Sequence, residues 1–223
     1  MKLSINLFTT LDGVSQSPGG AKEDTRGGFT RGGWLLPHFD EGCGEAVDEW
    51  YRHTTALLLG RHTYDTFTGH WPRVTNPEDR VATAINTLRK YVVTSSPTGE
   101  VWADTTTVLS SDALDRIREL KAQDGDELQV HGSVRLARSL HEAGLVDIYR
   151  LLVAPVVVGS GSRLFEADGP AHSLAVTSGT ITASGVTSLV MEPREFVAAT
   201  ATVEDGKDSV EEGARYHVPQ TAR

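Results

Sequence analysis

An arginine, a histidine and a threonine follow a glycine in Leu57-Leu58-Leu59-Gly60-Arg61-His62-Thr63-Tyr64. The apolar run suits a buried strand, and a helix is expected to start just after it. Cationic and hydroxyl groups then stand beside backbone N–H groups that a first helical turn leaves unbonded, a way to hold phosphate without a metal. This reading gives Arg61 and His62 to phosphate oxygens and Thr63 to a hydrogen bond at the helix start. An ordinary strand-to-helix turn with solvated charges fits the same residues. In Val92-Val93-Thr94-Ser95-Ser96-Pro97 a strand ends in three hydroxyls. These are small, rotatable donors suited to phosphate or ribose, and equally to a turn before proline. In Val130-His131-Gly132-Ser133-Val134-Arg135-Leu136 a strand breaks at glycine and a helix follows. The Ser133 hydroxyl and the next N–H groups face a positive helix end, or Ser133 is a plain N-cap.

All three motifs stand at the carboxyl end of an expected strand, where open α/β sheets place their ligand crevice. Strands are expected over residues 3–8, 56–59, 91–94, 128–131, 148–158, 175–182 and 188–192, and helices over 44–53, 62–67, 77–88, 112–123 and 133–143. The runs Leu57-Leu58-Leu59 and Val156-Val157-Val158 lack alternation, as strands covered on both faces do. Asp112 is expected to cap one helix and Ser133 the next, with Gly144 as its stop. Residues 15–33 hold six glycines and one proline among nineteen, the composition of a long binding loop or lid. Residues 194–223 read as a terminal hairpin or arm, with a strand over 195–203, a turn at Asp205-Gly206-Lys207 and a second strand over 214–218. The arm is expected to dock on a partner subunit. Gly159-Ser160-Gly161-Ser162-Arg163-Leu164 opens like a dinucleotide fingerprint but lacks the third glycine and the helix, which argues against a conventional Rossmann domain.

The bulk numbers narrow the classes. A net charge of -9, with no basic block, excludes a nucleic-acid footprint. There is no run of 18 apolar residues, and Met1-Lys2-Leu3-Ser4-Ile5-Asn6 reads directly as a strand, so a cytoplasmic protein is expected. A single cysteine, Cys43, forms no internal disulfide, and no Cys/His cluster has zinc spacing, so no metal is expected.

The motifs together resemble the dihydrofolate reductase-like superfamily, and within it the reductase domain at the C-terminal end of riboflavin-biosynthesis deaminase–reductases and its stand-alone relatives. The matching residues are Thr10-Leu11-Asp12-Gly13, Leu58 through Tyr64, Lys90-Tyr91-Val92-Val93-Thr94-Ser95, Val130-His131-Gly132-Ser133, Gly144-Leu145-Val146-Asp147, and Pro155 through Gly161 with Leu164-Phe165. They span residues 2–191, and the tail beyond Pro193 has no counterpart. The resemblance implies an α/β fold, a central mixed and mostly parallel sheet of about eight strands with flanking helices, as one domain over 1–193. It implies NADPH across the strand ends. Arg61 then meets the adenosine 2′-phosphate with Ser95 or Ser96, His62 and Thr63 approach the pyrophosphate, Gly132, Ser133 and Val134 line the nicotinamide-side phosphate, and Gly60 and Thr94 are further cofactor contacts. A guanidinium favours NADPH over NADH because it binds the extra phosphate bidentately, and nothing acidic in the motif repels it. A homodimer is expected because relatives commonly pair.

On the substrate side, Trp34-Leu35-Leu36-Pro37-His38-Phe39-Asp40 resembles the region that carries the pterin-contacting acid in dihydrofolate reductases, with the acid one place late and Phe39 at the matching position. Asp40 is the candidate catalytic acid or else a helix cap, and Trp34, Phe39 and Asp12 are candidate substrate contacts, Asp12 also suiting a turn. The leading function is an NADPH-dependent reductase of a small heterocycle or carbonyl compound, of the 5-amino-6-(5-phosphoribosylamino)uracil reductase type. An NADP-binding protein without turnover is the second class. Dihydrofolate reductase activity is a third, disfavoured by the displaced acid. Asp40 pointing into the cleft favours an enzyme; Asp40 capping a helix favours the binder.

Overall fold

Leu57, Leu58 and Leu59 are all fully buried, at the centre of an eight-stranded sheet. The computed structural model describes residues 1–216. Its strands are β1 (Lys2–Thr10), β2 (Thr54–Gly60), β3 (Arg89–Val93), β4 (Thr106–Leu109), β5 (Glu127–His131), β6 (Ile148–Ala154), β7 (Ser173–Ile181) and β8 (Thr187–Arg194), in the order β4-β3-β2-β5-β1-β6-β8-β7. The first six run parallel, while β8 joins β6, and β7 joins β8, antiparallel. Because β3, β2 and β5 are neighbours, the three motifs that follow them come to lie side by side.

Five helices connect the strands: α1 (Glu41–Arg52), α2 (Arg61–His70), α3 (Arg80–Thr87), α4 (Ala113–Lys121) and α5 (Val134–Glu142). Leu57 and Leu59 pack with Trp50 and Tyr51 of α1, Tyr64 of α2 and Ile85 of α3. Leu58 joins Ile117 and Leu120 of α4 and Ala137 and Leu140 of α5 on the other face. Connections that run leftward and rightward along a parallel sheet take opposite faces when every crossover is right-handed, which gives this division. Burying each leucine contributes about 1.5–3 kcal/mol.

One patch of the interior is polar. Beneath α1 the Arg150 guanidinium grips Glu127 through both nitrogens, at 2.6 and 2.7 Å, with side chains 9% and 4% exposed. Glu127 Oε2 also accepts from Gln129 Nε2, Gln129 Oε1 meets the His131 ring at 2.9 Å, and that ring stacks on Tyr51. Burial raises the Glu127 carboxyl, but the hydrogen bonds and charge of Arg150 outweigh it and hold the pKa below its ordinary value.

Several elements differ from expectation for local reasons. Strand β4, a short edge strand with two threonines, shows no apolar run and is not expected from the sequence. The strand expected over 148–158 stops at Ala154, because Pro155 has no N–H to continue a ladder. Neither Asp112 nor Ser133 makes a side-chain cap. Ser133 sits at φ +52, and its hydroxyl is engaged across the sheet instead. Beyond β8, strands β9 (Phe196–Glu204) and β10 (Lys207–Tyr216) pair antiparallel with each other as a separate two-stranded sheet. The expected hairpin is present with its turn at Asp205-Gly206; the second strand starts earlier than expected, and residues 217–218 lie outside the described residues.

Candidate functional site

The turns after β2 and β5 are fastened to each other. The Gly60 N–H donates to Ser133 Oγ at 2.8 Å, and the Ser133 N–H donates to Thr63 Oγ1 at 2.9 Å. Each hydroxyl therefore spends a lone pair on the neighbouring backbone and keeps its own proton for an acceptor outside. Gly132 lies at φ +56, and a Cβ there would stand 3.3 Å from Thr63 Cγ2 and Oγ1. Glycine is required for this close approach. No side chain caps α2 or α5, so first-turn N–H groups of both helices face the same end of the sheet.

Arg61 lies at the β3 side of this cradle. Its Nε reaches both carboxylate oxygens of Asp65 at 2.8 Å, and its Nη1 donates to the Pro97 carbonyl at 2.8 Å. This draws the guanidinium against the loop that carries Thr94, Ser95 and Ser96. There Thr94 Oγ1 accepts the Ser96 N–H at 3.1 Å, and Ser95 and Ser96 are exposed. The motif Gly60–Tyr64 itself holds no acid, but Asp65, just beyond it and one turn along α2, already pairs with Arg61. That i, i+4 spacing is visible in the sequence. His62 faces Asp24 of the 15–33 loop. Its Nε2 is buried without a hydrogen bond, 3.6 Å from the Asp24 carboxylate.

The four substrate-side residues belong to the framework. Asp12 Oδ1 accepts from the Thr10 hydroxyl at 2.6 Å and the Val158 N–H at 3.2 Å, and Oδ2 accepts from the Gly159 N–H at 2.8 Å and Arg163 Nη2 at 3.3 Å. Desolvation pushes its pKa up, but the bonds from Thr10, Val158 and Gly159 win and bring it to about 2. Trp34 is 6% exposed, donates Nε1–H to the Gln16 carbonyl at 2.8 Å, and packs against Val14, Phe29, Leu35, Ala154 and Val158. It stiffens the 15–33 loop. Phe39, 41% exposed, meets Phe8 edge-on at 6.2 Å. Asp40 is the N-cap of α1: Oδ1 accepts the Cys43 N–H at 3.0 Å and Oδ2 the Ser184 N–H at 2.8 Å. The Ser184 bond first, then that of Cys43, holds its carboxyl well below the ordinary range. Of the two roles open to Asp40, the structure gives it the cap.

Beside the cradle lies a cavity of about 390 Å³ that sequence reasoning missed, lined among others by Gln16, Asp24, Arg26, Arg135, Ser160 and Ser162. Gln16, 5% exposed, joins its walls. Its Nε2 donates to the Asp24 and Arg26 carbonyls at 3.2 and 3.0 Å, and its Oε1 accepts the Ser162 N–H at 3.1 Å. The six residues come from three segments far apart in the chain, so no local spacing announces them. Among the described residues no group of three or more His, Cys, Asp or Glu is placed to hold a metal, and no helix is long and apolar enough to cross a membrane.

The sheet order, with β7 and β8 returning antiparallel at one edge, makes this a dihydrofolate reductase-like fold. Residues 1–188 match the model of the RibD C-terminal domain, and the chain belongs to that family. It is 24% identical over 166 residues to the uncharacterized protein YyaP of Bacillus subtilis (strain 168), covering 74% of this chain and 80% of that one. A structure assigned to riboflavin biosynthesis, from Shewanella sp. PV-4, superposes with a TM-score of 0.63 at 19% identity, over 87% of this chain and 99% of the other. The dihydrofolate reductase of Enterococcus faecalis, solved with NADP(H), superposes with a TM-score of 0.55 at 14% identity, over 86% and 96%.

Proposed function

We propose that the chain is an NADPH-dependent reductase that delivers hydride to a small heterocyclic or carbonyl compound, of the 5-amino-6-(5-phosphoribosylamino)uracil reductase type. The observation that carries the reading is the double fastening of Gly60, Thr63 and Ser133, which gathers two helix starts and two outward hydroxyl protons into one anion cradle. The residues fit the cofactor. The glycine a Cβ would fill, Gly132, keeps the cradle tight, and the buried Nε2 of His62 has no hydrogen-bond partner among the described residues. Gly60, His62, Thr63 and Thr94 hold the pyrophosphate side, with Gly132, Ser133 and Val134 at the nicotinamide-side phosphate. Arg61 takes the 2′-phosphate beside Ser95 and Ser96, exchanging or sharing its Asp65 contact. When bound, the nicotinamide supplies the hydride; the protein's part is to orient both reactants and exclude water. Membership of the RibD C-terminal domain family supports a reductase over other uses of the fold.

A second reading, an NADP-binding protein without turnover, is favoured by one observation: Asp40 and Asp12 both spend their carboxylates on framework bonds. In the enzyme reading Asp40 supplies the substrate-side proton by releasing Ser184, or solvent supplies it, with Trp34, Phe39 and Asp12 shaping the substrate end. Loss of NADPH absorbance, screened against the pyrimidine intermediate of the riboflavin pathway, dihydrofolate and a panel of carbonyl compounds, separates the two. Oxidation with any of them establishes the reductase, and an inert panel with tight NADPH binding establishes the binder. If oxidation occurs, an unchanged rate in Asp40→Asn removes Asp40 from the chemistry. The reading also takes residues 1–193 as the reductase domain of a cytoplasmic homodimer, with 194–223 as an arm against the second copy. A monomer mass in light scattering at micromolar protein overturns the dimer.

A further inference from the structure

A row of polar side chains on one face of β5 ends in a lone pair. Alternate residues of a strand share a face, so Glu127, Gln129 and His131 all lie under α1, and all three are buried. Arg150 donates from both guanidinium nitrogens to the Glu127 carboxylate. The Gln129 amide then has no choice of orientation. Its Nε2 lies 2.7 Å from the Trp50 carbonyl and 2.9 Å from Glu127 Oε2, and neither of those oxygens can donate. The amide oxygen is left facing His131 Nε2 at 2.9 Å, so that ring nitrogen must carry the proton. Burial first, and the Arg150 charge second, lower the His131 pKa to about 3, which keeps the ring neutral and its other nitrogen, Nδ1, bare. The two nitrogens of an imidazole point away from one another. Because Nε2 is turned back along the strand to Gln129, Nδ1 is turned toward the carboxyl end, where Gly132 and Ser133 begin the cradle. No described group donates to Nδ1, and unlike Nε2 of His62 it is not sealed from solvent. Tyr51 stacks on the ring at 4.5 Å and holds its plane.

We propose that His131 is a specificity-determining residue whose Nδ1 accepts a hydrogen bond from an N–H of the bound ligand. Arg150, Glu127 and Gln129 are positioning residues: they hold the proton on Nε2 and so keep Nδ1 an acceptor that cannot turn into a donor. A ligand that brings an N–H to this place is bound, and one that brings a carbonyl oxygen meets a lone pair and is rejected. The donor is an amino or ring N–H of a flat heterocyclic substrate or the carboxamide of the cofactor, two sources with one chemistry. The inference rests on the reductase reading in placing both reactants at this end of the sheet.

Nitrogen NMR of the isotopically labelled full chain tests this without any turnover. In the free protein the His131 ring should show a protonated Nε2 and a bare Nδ1; a proton on Nδ1, or a charged ring at neutral pH, overturns the inference. A shift of the Nδ1 resonance by 2,4-diaminopyrimidine, and none by pyrimidine, which has no N–H, assigns the lone pair to the substrate. A shift by NADPH, and none by its acetylpyridine analogue, which lacks the amide N–H, assigns it to the cofactor; either supports the proposal. His131→Leu should loosen the ligand so assigned by about fivefold, the size of one hydrogen bond between neutral groups. Gln129→Leu removes the acceptor of the Nε2 proton. If it melts as a folded protein, its two nitrogen signals should move toward each other as both tautomers become populated, a change that a merely structural role would not cause. Unchanged signals in that folded variant overturn the positioning role, and the spectra of the unaltered chain keep the test open if the variant does not fold. An Nδ1 unmoved by NADPH and by diaminopyrimidine, in a protein that binds NADPH, sinks this inference alone. A diaminopyrimidine shift with no NADPH binding in any form sinks the cofactor reading alone.

Discussion

Arg150–Glu127 and Arg26–Asp24 are both guanidinium–carboxylate pairs with a closest approach of 2.6 Å, yet their surroundings differ throughout. The first is almost wholly covered, and Gln129 and Asn6 share its remaining bonds. The second has Arg26 57% exposed at the lip of a cavity, with a neighbouring histidine left unsatisfied. Desolvation makes the difference. Groups already stripped of water cannot exchange partners without stranding a charge, whereas groups at a wet rim can trade one anion for another at little cost. The interior pair fixes the strands, and the rim pair leaves its guanidinium available.

The comparison is broken most directly inside. Arg150→Met strands Glu127 and is expected to lower stability by about 3–5 kcal/mol in urea denaturation. Adding Glu127→Leu to it should recover most of that loss. A single variant within about 1 kcal/mol of wild type would mean that the interior pair is as exchangeable as the rim pair. At the boundary between the two regions, Ser133→Ala leaves the Gly60 N–H without its acceptor. It should cost about 1–3 kcal/mol and weaken NADPH binding together, and a loss of only one of these would separate framework from cradle. At the rim, Arg61→Ala is expected to leave the melting temperature unchanged while removing a preference for NADPH over NADH of about tenfold, read by fluorescence titration. Equal affinities in the wild type would sink the 2′-phosphate assignment.

The smallest effect comes from Lys90, a buried cation with no acid partner among the described residues. Its ammonium donates to the Leu88 carbonyl at 2.6 Å and lies 4.5 Å from the centroid of the Trp102 ring. Burial lowers its pKa to about 8 from 10.5. Between those values the unfolded chain binds the proton and the folded one sheds it, so this residue's share of stability rises as pH increases from 8 toward 10.5 and is flat below 8. The difference in melting temperature between wild type and Lys90→Met isolates it from the tyrosines. That difference should favour Met at neutral pH and shrink as pH climbs, and a constant offset would show that Lys90 does not titrate in the fold.

Much of the fold was legible because the run at 57–59 is buried on both faces and carries no polar alternation to confuse it. Tyr91-Val92-Val93 is β-branched and aromatic, and Leu128-Gln129-Val130-His131 keeps a strand's period of two although all four are buried. The cradle was legible for a related reason: strand, glycine and hydroxyl are local in sequence, and parallel neighbours align their ends. Asp65 was within reach of the same reading at i+4 from Arg61. Ser133 was placed rightly and given the wrong bond, because a positive φ beside Gly132 turns its hydroxyl from its own helix toward Gly60. Strand β4 and the cavity were not legible. An edge strand of four residues with two threonines has no pattern to show. Arg26, Arg135 and Ser162 meet only because the chain folds.

Gln16 sets the width of that cavity as a spacer bar sets the gap between two plates. One amide spans from the carbonyls of Asp24 and Arg26 to the N–H of Ser162, so the loop and the turn after β6 are held at a separation equal to one side chain's reach. Asparagine at this position is one methylene shorter and cannot touch both plates at once. Whatever enters between them is therefore gauged, in part, by the length of a residue that sits almost wholly out of solvent.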